Sequence, residues 1–243
     1  MIDKAKSIAL HTVRYGENSL VAYMYTYEFG RITLMVNAAH GKGKGAKKAI
    51  FFQPLTLTNL IFYPGKNHGM GRLKEISPYV SLNSIYINPI KRAIALFIGE
   101  VIYRSVREEE SNPPLYHFLE ASIQSLDALE NGVSNFHLLF LALLSKHLGF
   151  FPNGSYSDQT PFFDYKNGFF VKSEPNHPLF FTPEYAKILS NSLYTGYENA
   201  DALKINGSQR SAFLSKMLLY YSYHTDSVQN IKSLPILSQV FDE

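Results

Sequence analysis

The chain has 243 residues, 46% of them hydrophobic, with no cysteine and a formal net charge of +3. That is enough apolar material for one large core or two modest ones, and the lack of cysteine excludes disulfides, thiol nucleophiles and thiolate zinc sites. The longest apolar run, residues 136–144, is interrupted by His137 and falls well short of the ~20 residues of a spanning helix, and no apolar segment with a small-residue cleavage site follows residues 1–6; the expectation is a cytoplasmic protein without membrane span or signal peptide.

The charge is unevenly spread. Residues 1–80 hold eleven Lys and Arg against four Asp and Glu, a net of +7, and residues 81–243 carry −4. A basic region joined to an acidic one assigns any polyanionic partner to the N-terminal side.

In chain order, residues 7–14 and 19–27 are rich in Val, Tyr, Thr and Leu with partial alternation, separated by Gly16-Glu17-Asn18, and predict two strands. After the turn Glu28-Phe29-Gly30, residues 31–36 place apolar side chains at every second position, as on a half-buried strand. Residues 55–63 and 71–76, joined through Pro64-Gly65, supply two more. Five short strands in about eighty residues suit an OB-like closed barrel, and by spacing alone an SH3-like barrel fits nearly as well.

Between the third and fourth strands lies a gap, residues 37–50, with four lysines and three glycines within eight residues. The composition predicts a mobile, positively charged loop, suited to neutralising phosphates without one fixed geometry; the plainer reading is a solvated loop, and the +7 surroundings favour nucleic acid. Gly41-Lys42-Gly43-Lys44-Gly45 fails as a nucleotide loop, because no Gly-Lys-Ser/Thr follows and Pro54 cuts short any helix after it. The nine aromatics of this region, Tyr15, Tyr23, Tyr25, Tyr27, Phe29, Phe51, Phe52, Phe62 and Tyr63, are expected mostly in barrel packing, with a minority free to stack on bases.

From Asn88-Pro89 onward the pattern is helical. Helices are predicted over 89–107, 113–129 and 136–148, the last expected to be capped by Ser134-Asn135 and, being apolar all round, to centre its domain. Residues 150–181 read as an irregular insert with short strands, and helices resume at Thr182-Pro183 and at Ser208. The fold class is thus α+β: a barrel domain over 1–80, then an all-α domain over 81–243 carrying the insert. No two of the eight histidines fall three or four apart and no Gly-x-Ser-x-Gly elbow occurs, so neither a metal nor a catalytic site is expected. Glu108-Glu109-Glu110 reads as a solvated linker.

Taken together these segments resemble the RecO recombination-mediator family. The likeness is carried by Ala9-Leu10-His11-Thr12-Val13-Arg14-Tyr15-Gly16-Glu17-Asn18-Ser19, by Tyr25-Thr26-Tyr27-Glu28-Phe29-Gly30-Arg31-Ile32, by the Gly/Lys loop followed by Gln53-Pro54-Leu55 and Gly65-Lys66, and by Arg210-Ser211-Ala212-Phe213-Leu214, Tyr220-Tyr221-Ser222-Tyr223-His224 and Lys232-Ser233-Leu234. The resemblance implies an OB-fold barrel, a helical C-terminal domain and no enzymatic turnover or cofactor. It implies a DNA repair and recombination role: binding single- and double-stranded DNA, annealing complementary strands and, with RecR, loading RecA onto DNA coated by single-stranded DNA-binding protein (SSB), at the nucleoid during repair. Many members carry a four-ligand zinc module in the helical domain; the matching insert, residues 152–178, has no cysteine, so aromatic packing is expected to hold it instead.

The DNA-facing residues implied are Arg14, Lys42, Lys44, Lys47 and Lys48, with Lys66, Arg72 and Lys74 behind them, each a phosphate contact or, on the plainer reading, ordinary surface charge. A pocket for the SSB C-terminal tail, with Arg104, Arg107, Lys146 and Arg210 as its basic candidates, is implied on the helical side. The alternative function is an RNA-binding or ribosome-associated barrel with a helical docking domain; an enzyme using the aromatic insert as a pocket has only the histidines to recommend it.

Overall fold

The structure, a computed structural model, describes residues 2–37, 46–66, 69–225 and 228–242. The chain forms two compact units, Met1–Asp127 and Ala128–Glu243.

The first unit is built on five strands, β1 (Asp3–Tyr15), β2 (Ser19–Thr26), β3 (Gly30–Val36), β4 (Leu57–Tyr63) and β5 (Gly71–Pro78), closed in the order β1-β2-β3-β5-β4. All pairs are antiparallel except β3 with β5. Closure depends on the length of β1: residues 3–8 pair with β4 and residues 7–15 with β2, and a register shift between Ala9 and His11 bends the strand from one neighbour to the other. Closed in the order β1-β2-β3-β5-β4 with β3 parallel to β5, the strands form the OB-like barrel of the two alternatives.

Small side chains line the inside of β1 and β2, where Ala5, Ala9 and Ala22 pack with Leu20, Met24, Leu34, Val36, Leu60 and Phe62. Phe52 joins this core from a 3-10 helix, Ala46–Phe52. That helix replaces the second half of the loop expected over 37–50. Pro54 ends it, and the Leu55 N–H then donates to the Ala9 carbonyl at 2.7 Å.

Two helices complete the unit: α1 (Pro89–Ser105) and α2 (Pro113–Ala128). Asn88 caps α1 by accepting from the Ile90 and Lys91 N–H groups, with Pro89 in the first turn. Helix α1 lies close against β1 because Gly99 faces it: a Cβ there would sit 3.0 Å from the Leu10 carbonyl oxygen. Element type thus divides the chain near residue 80, whereas compactness divides it after Asp127, with α1 on the barrel's side.

A polar clasp ties the β5–α1 connection to the end of α2. The Asp127 carboxylate accepts from the Asn83, Ser84 and Ile85 N–H groups, and the Ser84 hydroxyl donates to the Asp127 carbonyl. Lys91, only 4% exposed, donates to the Ser84 hydroxyl and the Asp127 carbonyl, each at 2.7 Å. A buried ammonium is tolerable only with such partners.

The second unit is centred on α3 (Phe136–His147), nine of whose residues are buried, as its all-round apolar sequence predicts. Around it are α4 (Pro183–Tyr194), a 3-10 helix (Tyr197–Ala202), α5 (Gly207–His224) and α6 (Leu234–Asp242). Asn135 does not cap α3 through its side chain. Its amide instead donates to the Ala200 and Leu203 carbonyls and accepts from Arg210, so a residue expected to cap a helix joins two segments.

The insert holds a three-stranded sheet, β6 (Phe162–Asp164) flanked by β7 (Phe169–Val171) and β8 (Phe180–Phe181), so the helical region carries a small β element. Phe163 packs against Phe170, Phe181 and Tyr220. Burial pushes the Tyr220 and Tyr221 phenols above their ordinary range, and each donates to a backbone carbonyl, of Phe150 and Leu141 respectively.

Candidate nucleic-acid interface

The register of the barrel gathers part of the basic set at one rim. Arg14 on β1 is the Cα partner of Leu20, and Leu20 is the partner of Val36. Beside Val36, Met35 partners Arg72 on β5, and Arg72 partners Tyr63 on β4. One row of neighbours therefore crosses all five strands from Arg14 to Tyr63, about 19 Å at the usual strand spacing. The β1–β2 turn, the root of the lysine-rich segment at Asn37 and the β4–β5 turn all emerge along this row.

Arg14, Lys66, Arg72 and Lys74 are exposed. Arg14 donates to the Glu17 carbonyl at 3.3 Å, which orients its guanidinium over the β1–β2 turn. Lys66 stands in the β4–β5 turn, and among the described residues no carboxylate pairs with it or with Arg72. Lys74 follows Arg72 on the same side of β5 and meets the Glu75 carboxylate at 3.7 Å, an exposed contact worth little. Lys48 lies apart from the row, in the 3-10 helix, half-buried. Lys42, Lys44 and the Lys47 side chain lie outside the described residues.

Of the nine aromatics of this region, only Tyr15 and Tyr63 are exposed, at 59% and 43%. The others pack. Tyr23, His11 and Tyr103 form a ladder, with Tyr103 4.7 Å from His11 and 4.8 Å from Tyr23. Burial, helped by the nearby Glu108 carboxylate, pushes the Tyr25 phenol up to about 12.

Sequence reasoning gave no role to Arg31. Its guanidinium lies over the Tyr23 and Tyr103 rings and donates to the Tyr103 and Val106 carbonyls at 3.0 and 3.3 Å, which makes it a fastener between β3 and the end of α1. The three glutamates after α1 are exposed, yet their backbone docks on the β2–β3 turn. The Arg31 N–H donates to the Glu108 carbonyl at 2.9 Å, and a Cβ at Gly30, where φ is +63°, would lie 2.3 Å from the Glu110 carbonyl oxygen.

The four basic residues suggested for a protein partner fall in different units. In the first, Arg104 is paired with Glu100 at 2.8 Å and Arg107 is exposed beyond α1. In the second, Lys146 is exposed in the last turn of α3. Arg210 is half-buried, donating to the Asn135 side chain at 3.1 Å with its guanidinium over the Phe241 ring.

The residues of the insert do not fit the four-ligand zinc module that the family resemblance implies. The insert has no thiolate, and the Asp164 carboxylate is taken up by the Lys166 and Asn167 N–H groups, the Asn167 amide and, at 3.4 Å, His177. Among the described residues no group of three or more His, Cys, Asp or Glu is placed to hold a metal ion. Among them, too, no helix is long and apolar enough to cross a membrane.

Comparison with known proteins covers nearly the whole chain. The domain profile described as Recombination protein O N terminal matches residues 1–81, and the one described as Recombination protein O C terminal matches residues 88–235. A DNA repair protein RecO from Azobacteroides pseudotrichonymphae is 34% identical over 242 residues, all of both chains. Those from Phocaeicola vulgatus and Bacteroides fragilis are also 34% identical, covering 99% and 100% of this chain and 100% of their own. With both domain profiles in order on a closed five-stranded barrel and a helical region, the chain belongs to the RecO family of recombination proteins.

Proposed function

We propose that this chain acts in DNA repair and homologous recombination as a mediator without catalytic turnover. It binds single- and double-stranded DNA at the barrel rim, anneals complementary strands and, with RecR, helps load RecA onto SSB-coated DNA, taking the SSB tail on its helical side. Its place of work is the cytoplasm, at the nucleoid. The observation that carries the reading is the row from Arg14 to Arg72: two exposed guanidiniums bracket the root of a four-lysine segment on the basic side of the chain.

Affinity from such a rim comes mainly from counterion release and must fall steeply with salt. Replacing Arg14, Lys66 and Arg72 together by Ala lowers the slope of log K against log salt for single-stranded DNA by ~0.7 for each phosphate deprived of its cation. Replacing Lys42, Lys44, Lys47 and Lys48 tests the lysine-rich segment in the same way. An unchanged slope in both variants removes the rim from DNA binding. A strand-annealing assay with and without SSB tests DNA and partner contact together, and competition with RNA of equal length tests the choice of nucleic acid.

A further inference from the structure

Two concavities of opposite chemistry share Pro64 and Gly71 at the β4–β5 turn. On the β3 side, one of about 600 Å³ is lined by Asp3 and Glu109 together with Phe29, Arg31 and Phe62, among others. Its carboxylates repel phosphate, and its arginine is already committed to the Tyr103 and Val106 carbonyls. The second, a shallow one of about 380 Å³, is lined by Tyr63, Pro64, Met70, Gly71 and Arg72, with no acid among the described residues. Met70 is 47% exposed, so two large apolar side chains stand in water beside an arginine.

We propose that Tyr63, extended by Met70, is a stacking platform for one base of a single DNA strand whose adjoining phosphates are held by Arg72 and Lys66. The proposal rests on the DNA-binding reading above and adds to it a contact that salt does not screen. Tyr63 and Arg72 are direct cross-strand partners, and side chains so paired leave the sheet about 5 Å apart. An aromatic face and a guanidinium at that separation suit the two halves of a nucleotide, base on the ring and phosphate on the charge. Arg72 is exposed and meets no carboxylate among the described residues, so its charge is available. A duplex hides its base faces within the stack, so the platform favours single strands.

The chain contains no tryptophan, so Tyr63→Trp places a single reporter at the site. Titrating this variant with oligothymidine is expected to quench its fluorescence at the concentrations where the strand binds. Tyr63→Phe and Tyr63→Trp should bind as the parent does, and Tyr63→Ala should bind about 5- to 150-fold more weakly, the range measured for loss of one stacked base. The salt slope of Tyr63→Ala should match the parent's, whereas that of Arg72→Ala should be shallower by ~0.7. An abasic strand of the same length should remove the difference between Tyr63→Ala and the parent. If oligonucleotides bind with steep salt dependence but the tryptophan is not quenched and Tyr63→Ala is unimpaired, the platform is overturned and DNA binding stands. If the parent chain binds no oligonucleotide at low ionic strength, both fall.

Discussion

The two units solve the problem of a core in different ways. Residues 1–127 carry fifteen Lys and Arg against ten Asp and Glu, and close a barrel around alanines and a few large side chains, fastened by a buried lysine and an aspartate clasp. Residues 128–243 carry eight against ten and bury an apolar helix, with Phe163, Phe181 and Tyr220 packed edge to face beside it. On the reading proposed above the contrast extends to purpose: exposed cations at the rim of the first unit meet the polyanion, and the second unit meets protein partners.

The largest test of that contrast is Leu139→Ala. Leu139 is fully buried in α3, and truncating such a leucine costs about 2–5 kcal/mol through reduced burial and the cavity left behind. Thermal unfolding should show the loss, while the oligonucleotide affinity of the folded protein stays at the parent's value. A parallel loss of affinity breaks the division of labour.

Next in size is a difference in acid response. His137, fully buried on α3 with its ring 5.4 Å from Phe241, is held down to about 3 by burial and then by the Arg210 charge. Its folded value lies below its unfolded one, so the unfolded chain takes up the extra proton. The neutral imidazole's stability is therefore complete above pH ~6.5 and declines as pH falls from there towards 3. His137→Leu should flatten the fall in stability between pH 6.5 and 5 by up to about 2 kcal/mol, read by denaturant unfolding at each pH.

Asp127 in the first unit behaves differently. Burial works against its charge, but the Asn83, Ile85 and Ser84 N–H groups outweigh that and hold the carboxyl below its ordinary value. A depressed carboxylate contributes stability present above the unfolded value and lost only as pH falls through the folded one. Asp127→Asn should therefore remove acid sensitivity below pH ~4 and, between pH 5 and 6.5, lower stability by a constant amount without changing its slope with pH. If it alters that slope, the assignment of the two acid responses to the two units is wrong.

How much of this was legible in the sequence follows from how local each signal is. Alternation in residues 31–36 and helical spacing in residues 89–107 are properties of short windows, and both became the expected elements, the helix ending two residues early at Ser105. The first four residues of β1 lie outside the predicted strand because Asp3, Lys4 and Lys6 leave only one alanine as apolar pattern; they are a strand only because β4 pairs with them. The 3-10 helix at 46–52 was masked by the lysines and glycines before it, and its purpose, delivering Phe52 to the barrel, is a tertiary fact. The rim set was half legible: the family resemblance marked Arg14, Lys66 and Arg72, but the row that adds Tyr63 exists only in cross-strand register. Asn135 and Arg31 escaped for the same reason, their side-chain hydrogen-bond partners lying 65 or more residues away.

The smallest expected effect is also the most direct comparison of the two surfaces. Lys66 and Lys146 are both exposed lysines, one in the β4–β5 turn and the other in the last turn of α3. If the barrel rim is where phosphates lie, Lys66→Ala removes one counterion-releasing cation and makes the single-strand salt slope shallower by ~0.7, with only a modest drop in affinity at moderate salt. Lys146→Ala removes the same formal charge and should leave that slope unchanged, because net charge alone steers encounter while contact releases bound counterions. Equal changes in the two variants mean that the strand responds to the total charge of the chain and not to the rim, and the geometric argument from Arg14 to Tyr63 loses its functional content.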